Sequence, residues 1–222
     1  MLQSSTLKFL KDLKKNNNKP WFDKHRENYE NAKEDFCGFV QKLIDHHAKM
    51  DSGISSLVAS QCVFRINRDV RFSKDKSPYK TNFGASITRG GKKSGLAGYY
   101  VHCEPGESFI GGGVWMPTPP ALKKLRQEID YDFDEFSKLT GSKKFKAVYG
   151  GMYQEEGIKL SKVPQGFDKE SPAAEYLKMK SYIALKSFND AEVTSQKMFR
   201  QSIEAMETLY PLLNFLNRAL KE

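Results

Sequence analysis

The chain has 222 residues, with 36 basic against 27 acidic side chains, a net charge of +9 and 12% aromatics. That length suits one α+β domain burying about 70% of its unfolded surface, and the aromatics supply a core, which excludes a disordered chain. Cys37, Cys62 and Cys103 are odd in number and lack CxxC or metal-ligand spacing, which argues against a secreted disulfide scaffold.

In chain order, Ser4 to Lys15 is predicted to form an amphipathic helix with Leu7, Leu10 and Leu13 on one face, ended by Asn16, Asn17 and Asn18. Residues 1–13 carry polar and charged groups among their apolar positions and fit neither a signal peptide nor a membrane span, so the expectation is a single cytoplasmic domain over residues 1–222, without membrane, metal or cofactor. A long second helix starts near Pro20, with Phe22, Tyr29, Phe36 and Leu43 at heptad spacing and His25, Ala32 and Phe39 in the adjacent row. From Gln61 the period becomes two, with Cys62, Phe64, Ile66, Val70 and Phe72 alternating with Val63, Arg65, Asn67, Asp69 and Arg71. Arg68 breaks the alternation, through a bulge or a buried acceptor. After a loop at 73–82 come strands at Phe83–Thr88, Gly98–Cys103 and Ser108–Trp115, so the chain reads as α+β: a mostly antiparallel sheet, a meander over about residues 61–115, packed by amino- and carboxyl-terminal helices. A helix is expected from Pro119 to Gly141, an irregular stretch at 150–167, a short helix at 172–180, a strand at Tyr182–Phe188 and a final helix from Asp190 that Pro211 kinks.

Charge is concentrated between Gln61 and Lys93, where four Arg and five Lys against Asp69 and Asp75 leave +7. Arginine forks, ammonium groups and hydroxyls on one strand and its loop suit a bound phosphate or carboxylate; pairing of Arg65, Asp69 and Arg71 among themselves is the structural alternative. The candidate ligand-binding residues are Arg65, Arg71, Lys74, Lys76, Tyr79 and Lys80, with Gly111, Gly112, Gly113 and Trp115 as a wall, because three strand glycines imply close approach of a ligand, a ring or backbone. Trp21, His25, Arg26 and Tyr29 share a helix face; His25 is a candidate acid or base, or else a core-edge histidine satisfied by a carbonyl, and Arg68 is a candidate stabiliser of negative charge. Nucleotide-binding loops, the nucleophile elbow and the HExxH zinc motif do not occur. Asp130, Asp132 and Asp134 imitate a calcium loop but have Glu135 where glycine is required. His102 and Cys103 are strand neighbours that point to opposite faces and cannot form a nucleophile–base pair.

The run Phe64 to Gly84, the stretch Gly111-Gly112-Gly113-Val114-Trp115-Met116-Pro117, the segment Pro164 to Tyr182 and the opening Asn16 to Glu30 resemble a bacterial family catalogued as domain of unknown function 2461. The resemblance spans nearly the whole chain and implies one domain, with no assigned chemistry.

Three function classes follow. The first is a domain that binds a small phosphate-bearing molecule in a basic pocket clamped by Arg65 and Arg71. The second is a hydrolase or transferase acting on such a ligand. The third is sequence-independent nucleic-acid binding, with basic residues interleaved with Tyr79, Tyr99 and Tyr100.

Overall fold

A computed structural model describes residues 1–154, 157 and 159–221. Glu155, Glu156 and Ile158, in the irregular stretch expected at 150–167, and Glu222 lie outside the described residues. Helix α1 (Ser4–Lys15) buries Leu7, Leu10 and Leu13 as its spacing predicts. Asn18 then caps the next helix by accepting from the Trp21 amide at 3.0 Å, with Pro20 in the first turn. The one long helix expected from Pro20 is two, α2 (Lys19–Lys24) and α3 (Arg26–His47), because the His25 backbone leaves the helical range at φ −110°, ψ 27°. The apolar stripe survives the break, with Phe22, Tyr29, Ala32, Phe36, Phe39 and Leu43 all buried.

A 3-10 turn at Ser52–Ile54 and α4 (Ala59–Cys62) follow, so extended chain starts at Val63 and not at Gln61. A continuous strand does not run to Phe72; isolated antiparallel bridges join Val63 to Ala85 and Asn67 to Tyr79. Strands β1 (Phe83–Ile87), β2 (Gly98–Cys103), β3 (Ser108–Val114) and β4 (Tyr182–Phe188) form a four-stranded antiparallel sheet in the order β1-β2-β3-β4. The expected α+β class and central meander are therefore present. The helix expected over 119–141 divides into α5 (Pro119–Tyr131) and α6 (Phe133–Gly141), since Asp132 leaves the helix and caps α6 through the Glu135 amide at 3.2 Å. Asp130 accepts from Ser171 at 2.6 Å, so of the calcium-like aspartates Asp132 caps a helix and Asp130 makes a tertiary contact. Helices α7 (Lys143–Tyr149), α8 (Ala174–Leu177), α9 (Asp190–Val193) and α10 (Gln196–Leu220) complete the chain, α10 running through Pro211. Among the described residues, no helix is long and apolar enough to cross a membrane.

The chain gathers into two compact units. The first comprises residues 1–87, 100–110 and 187–203, and its core is aromatic: the Phe83 ring of β1 lies 6.5 Å from Phe9, 6.3 Å from Tyr29 and 5.5 Å from Phe36. The second comprises residues 88–99, 111–186 and 204–222. There Phe136 of α6 meets Tyr176, Tyr182 and Phe215 at 5.0, 6.5 and 5.6 Å, and the Asn217 amide pairs with both backbone groups of Ala97.

The Gly111–Gly113 run is explained within this second unit. A Cβ at Gly111 would lie 2.1 Å from the Ala184 carbonyl oxygen, one at Gly112 2.2 Å from that of Gly98, and one at Gly113 1.9 Å from that of Tyr182. The backbones of the flanking strands occupy the space that side chains would need. Gly113 also has φ +122°, which L side chains rarely adopt. Gly113→Ala is expected to cost at least about 1–3 kcal/mol, read from the shift of the denaturant midpoint; an unchanged midpoint would contradict this account.

Candidate functional site

The basic segment forms an ordered loop. After α4, Phe64 N donates to Gly84 O at 2.9 Å, Lys80 N to Ile66 O at 2.8 Å and Arg68 N to Pro78 O at 2.9 Å, closing residues 68–78 into a projection from an antiparallel pair. Asp75, itself exposed, braces this loop, accepting from Ser77 N at 2.9 Å, from Ser77 Oγ at 2.7 Å and from the Arg68 guanidinium. The Ser77 hydroxyl and amide, followed by Arg68, hold the Asp75 carboxyl well below the usual carboxylate range. Arg68 also reaches the Ser77 carbonyl at 3.3 Å and Ser73 Oγ at 3.4 Å, and Lys76 Nζ donates to Val70 O at 3.0 Å. The break in alternation at Arg68 thus marks an arginine turned in to hold the loop.

The outer side of the loop carries exposed Arg71, Phe72, Lys74 and Lys76, and Arg65 is exposed on the strand leading to it. Arg71 forms a fork with Asp69 at 2.9 and 2.7 Å, the pairing that the structural alternative anticipated. Phe72 is 97% exposed. Tyr79, in contrast, is buried: its ring stacks on Phe22 at 4.0 Å and 14°, while the Asn17 side chain donates to its carbonyl at 2.9 Å and accepts from its amide at 3.1 Å. Lys80 Nζ lies 5.5 Å from the centroid of the Phe64 ring. His25 Nδ1 donates to the Trp21 carbonyl at 2.8 Å and its ring stacks on Trp21 at 4.1 Å, the carbonyl-satisfied arrangement. Gly111, Gly112, Gly113 and Trp115 belong to the second unit, where Trp115 is 55% exposed.

A second polar cluster arises from the alternation of β2. Val101 and Cys103 are buried on one face, and burial pushes the Cys103 thiol up to about 12, so it is inert at neutral pH. Tyr100, His102 and, just past the strand, Glu104 follow the other face. His102 Nε2 lies 3.1 Å from Glu104 Oε2, and Tyr100 Oη lies 3.5 Å from His102 Nδ1. A carboxylate only accepts, so Nε2 carries the hydrogen and Nδ1 is left to accept from the phenol. Thr81 Oγ1 donates to Glu104 Oε1 at 2.9 Å, Asn82 Nδ2 stands 3.5 Å from Oε2, and Lys14 Nζ lies 4.0 Å from Oε1. Phe109 stacks on the imidazole at 4.7 Å and 10°. A Cβ at Gly84 would stand 2.3 Å from Tyr100 Oη, so the glycine makes room for the hydroxyl.

The sequence matches the family described as conserved hypothetical protein (DUF2461) over residues 5–215. The chain belongs to this family. No curated protein and no solved structure matches it significantly.

This DUF2461 chain thus presents, within its first unit, an outward cationic loop and a half-buried phenol–imidazole–carboxylate chain. In the sequence the second is masked by the adjacent pair His102-Cys103; its usable signal is Tyr100, His102 and Glu104 at a period of two. Burial acts to raise the Glu104 carboxyl, but bonds from His102, Thr81 and Asn82 outweigh it and leave it below its ordinary 4.5. Such a carboxylate stabilises the fold above its unfolded pKa, and that stability is lost as pH falls through the folded value. Glu104→Gln is therefore expected to destabilise the DUF2461 protein at neutral pH, with the deficit shrinking below about pH 4.5. Denaturant midpoints of both proteins across this range check it, and a deficit constant with pH would count against the assignment.

Proposed function

We propose that this DUF2461 protein binds a phosphate-bearing anion through its basic loop, and that the ligand is an extended polyanion of the single-stranded nucleic-acid type. The observation that carries the reading is Phe72, 97% exposed between Arg71 and Ser73 on a loop whose outward groups also include Lys74 and Lys76. A phenyl ring held in water beside cations matches a ligand that alternates π-faces with phosphates. Exposure of Arg65 and Arg71 favours a strand lying along a surface over a small molecule enclosed in a pocket, the arrangement first expected. The internal Arg68–Asp75 tie pre-orders the loop, so less conformational entropy is lost on binding. No disulfide joins Cys37, Cys62 and Cys103, which agrees with action in the reducing cytoplasm.

Fluorescence anisotropy with a labelled single-stranded oligonucleotide tests this. Affinity should fall steeply between about 50 and 200 mM salt. Phe72→Ala should weaken it about 5- to 150-fold, corresponding to about 1–3 kcal/mol of stacking, and Lys74→Ala should reduce the salt slope by about one. Absence of binding at low salt, or affinity indifferent to both salt and Phe72, would refute the proposal.

A further inference from the structure

We infer that Tyr100, His102 and Glu104 are the acid–base centre of a phosphodiester-cleaving site, an inference that takes its substrate from the anion-binding reading above. Three features carry it. The chain of bonds is directional: Glu104 holds the Nε2 hydrogen of His102, which aims the Nδ1 lone pair at the Tyr100 hydroxyl. The imidazole plane is held by Phe109, and Glu104 is further held by Thr81 and Asn82, so neither group is free to swing. The rim belongs to the basic segment: the Phe64 ring, 38% exposed, stands 6.3 Å from the Tyr100 ring, and the Lys80 ammonium lies over it.

Access is graded in a way that suits catalysis. The His102 and Glu104 side chains each keep 12% exposure, beside the more open Phe64. Burial, and then the Glu104 charge, raises the Tyr100 phenol, so it remains a proton donor at neutral pH. Partial exclusion of water strengthens the His102–Glu104 interaction and any contact between Lys80 or Lys14 and phosphoryl oxygens.

The reaction needs only proton transfer from the protein. A hydroxyl, from water or from ribose, gives its proton through the Tyr100 hydroxyl to His102 Nδ1 while its oxygen bonds to phosphorus. The bond from phosphorus to the leaving oxygen breaks on the opposite side, that oxygen takes a proton from solvent, and the imidazolium then releases its proton to solvent through Tyr100. One P–O bond forms, one breaks, and the protein returns to its starting protonation. Tyr100 and His102 are the catalytic residues. Glu104, which stabilises the imidazolium and sets its orientation, is a positioning residue.

The test uses single-stranded RNA, single-stranded DNA and bis(p-nitrophenyl) phosphate with the wild-type chain, His102→Gln and Tyr100→Phe. The wild type should cleave at least one of these, and each variant should lose about 10²- to 10⁴-fold in kcat while KM and oligonucleotide affinity stay unchanged. Cleavage of RNA but not DNA identifies the ribose hydroxyl as attacking group; cleavage of both identifies water. Tyr100→Phe removes one oxygen and keeps the ring, so it remains informative if His102→Gln does not fold. No cleavage of any of the three by the wild type, or a Tyr100→Phe variant as active as the wild type, would overturn the inference. Diester cleavage without oligonucleotide binding would remove the anion-binding reading and leave the acid–base centre standing.

Discussion

The stack of Tyr79 on Phe22 is the contact on which the basic loop of the first unit depends. Tyr79 ends the basic loop, and Asn17, just ahead of α2, clamps both backbone groups of the same residue. The returning chain then enters β1, whose Phe83 is enclosed by Phe9, Tyr29 and Phe36. Fixing each loop residue costs about 1–2 kcal/mol in backbone entropy. A long cationic excursion keeps one conformation only because its root is buried and its interior is tied by Arg68 and Asp75. The same tie turns the Arg68 guanidinium in toward the loop, while the Asp75 carboxylate that holds it stays largely in water.

The face of β2 that carries the polar chain obeys a different constraint. A half-buried carboxylate is costly unless its lone pairs are filled, and Glu104 meets that condition with donors from His102, Thr81 and Asn82. Filling those lone pairs also selects the tautomer of His102, which turns a requirement of burial into a chemical direction. Glycine enters both units in the same way. Gly84 leaves room for the Tyr100 hydroxyl, and Gly111–Gly113 leave room for neighbouring backbone.

Periodicity revealed most of the elements because a helix or strand that buries one face must repeat its apolar residues at 3.6 or 2. The stripe of α3, the strands β1 to β4 and the α+β class were all legible on that ground. Breaks were not. The interruptions at His25 and Asp132 keep the same faces buried, so the apolar pattern passes through them unchanged. The alternation over 61–72 was misleading for the opposite reason: it continues past the point where the chain leaves its pairing partner, so Phe72, which completes the apolar set, stands in water. Composition correctly singled out the Gly111–Gly113 run as a close approach but could not name what approaches.

Sequence alone determined most of the elements, the family, and the place on the chain where positive charge accumulates, because these depend on residue order and local sterics. Tertiary structure decided which of those charges meet solvent, since that depends on partners distant along the chain or turned inward by the loop. Asn17 and Phe22 bury Tyr79 across dozens of residues of chain, and Asp75 claims Arg68. It likewise assembled Thr81 and Asn82 around Glu104, a constellation of ordinary polar residues. Hydrogen-bond geometry is set to fractions of an ångström by packing, and no spacing rule along the chain encodes it.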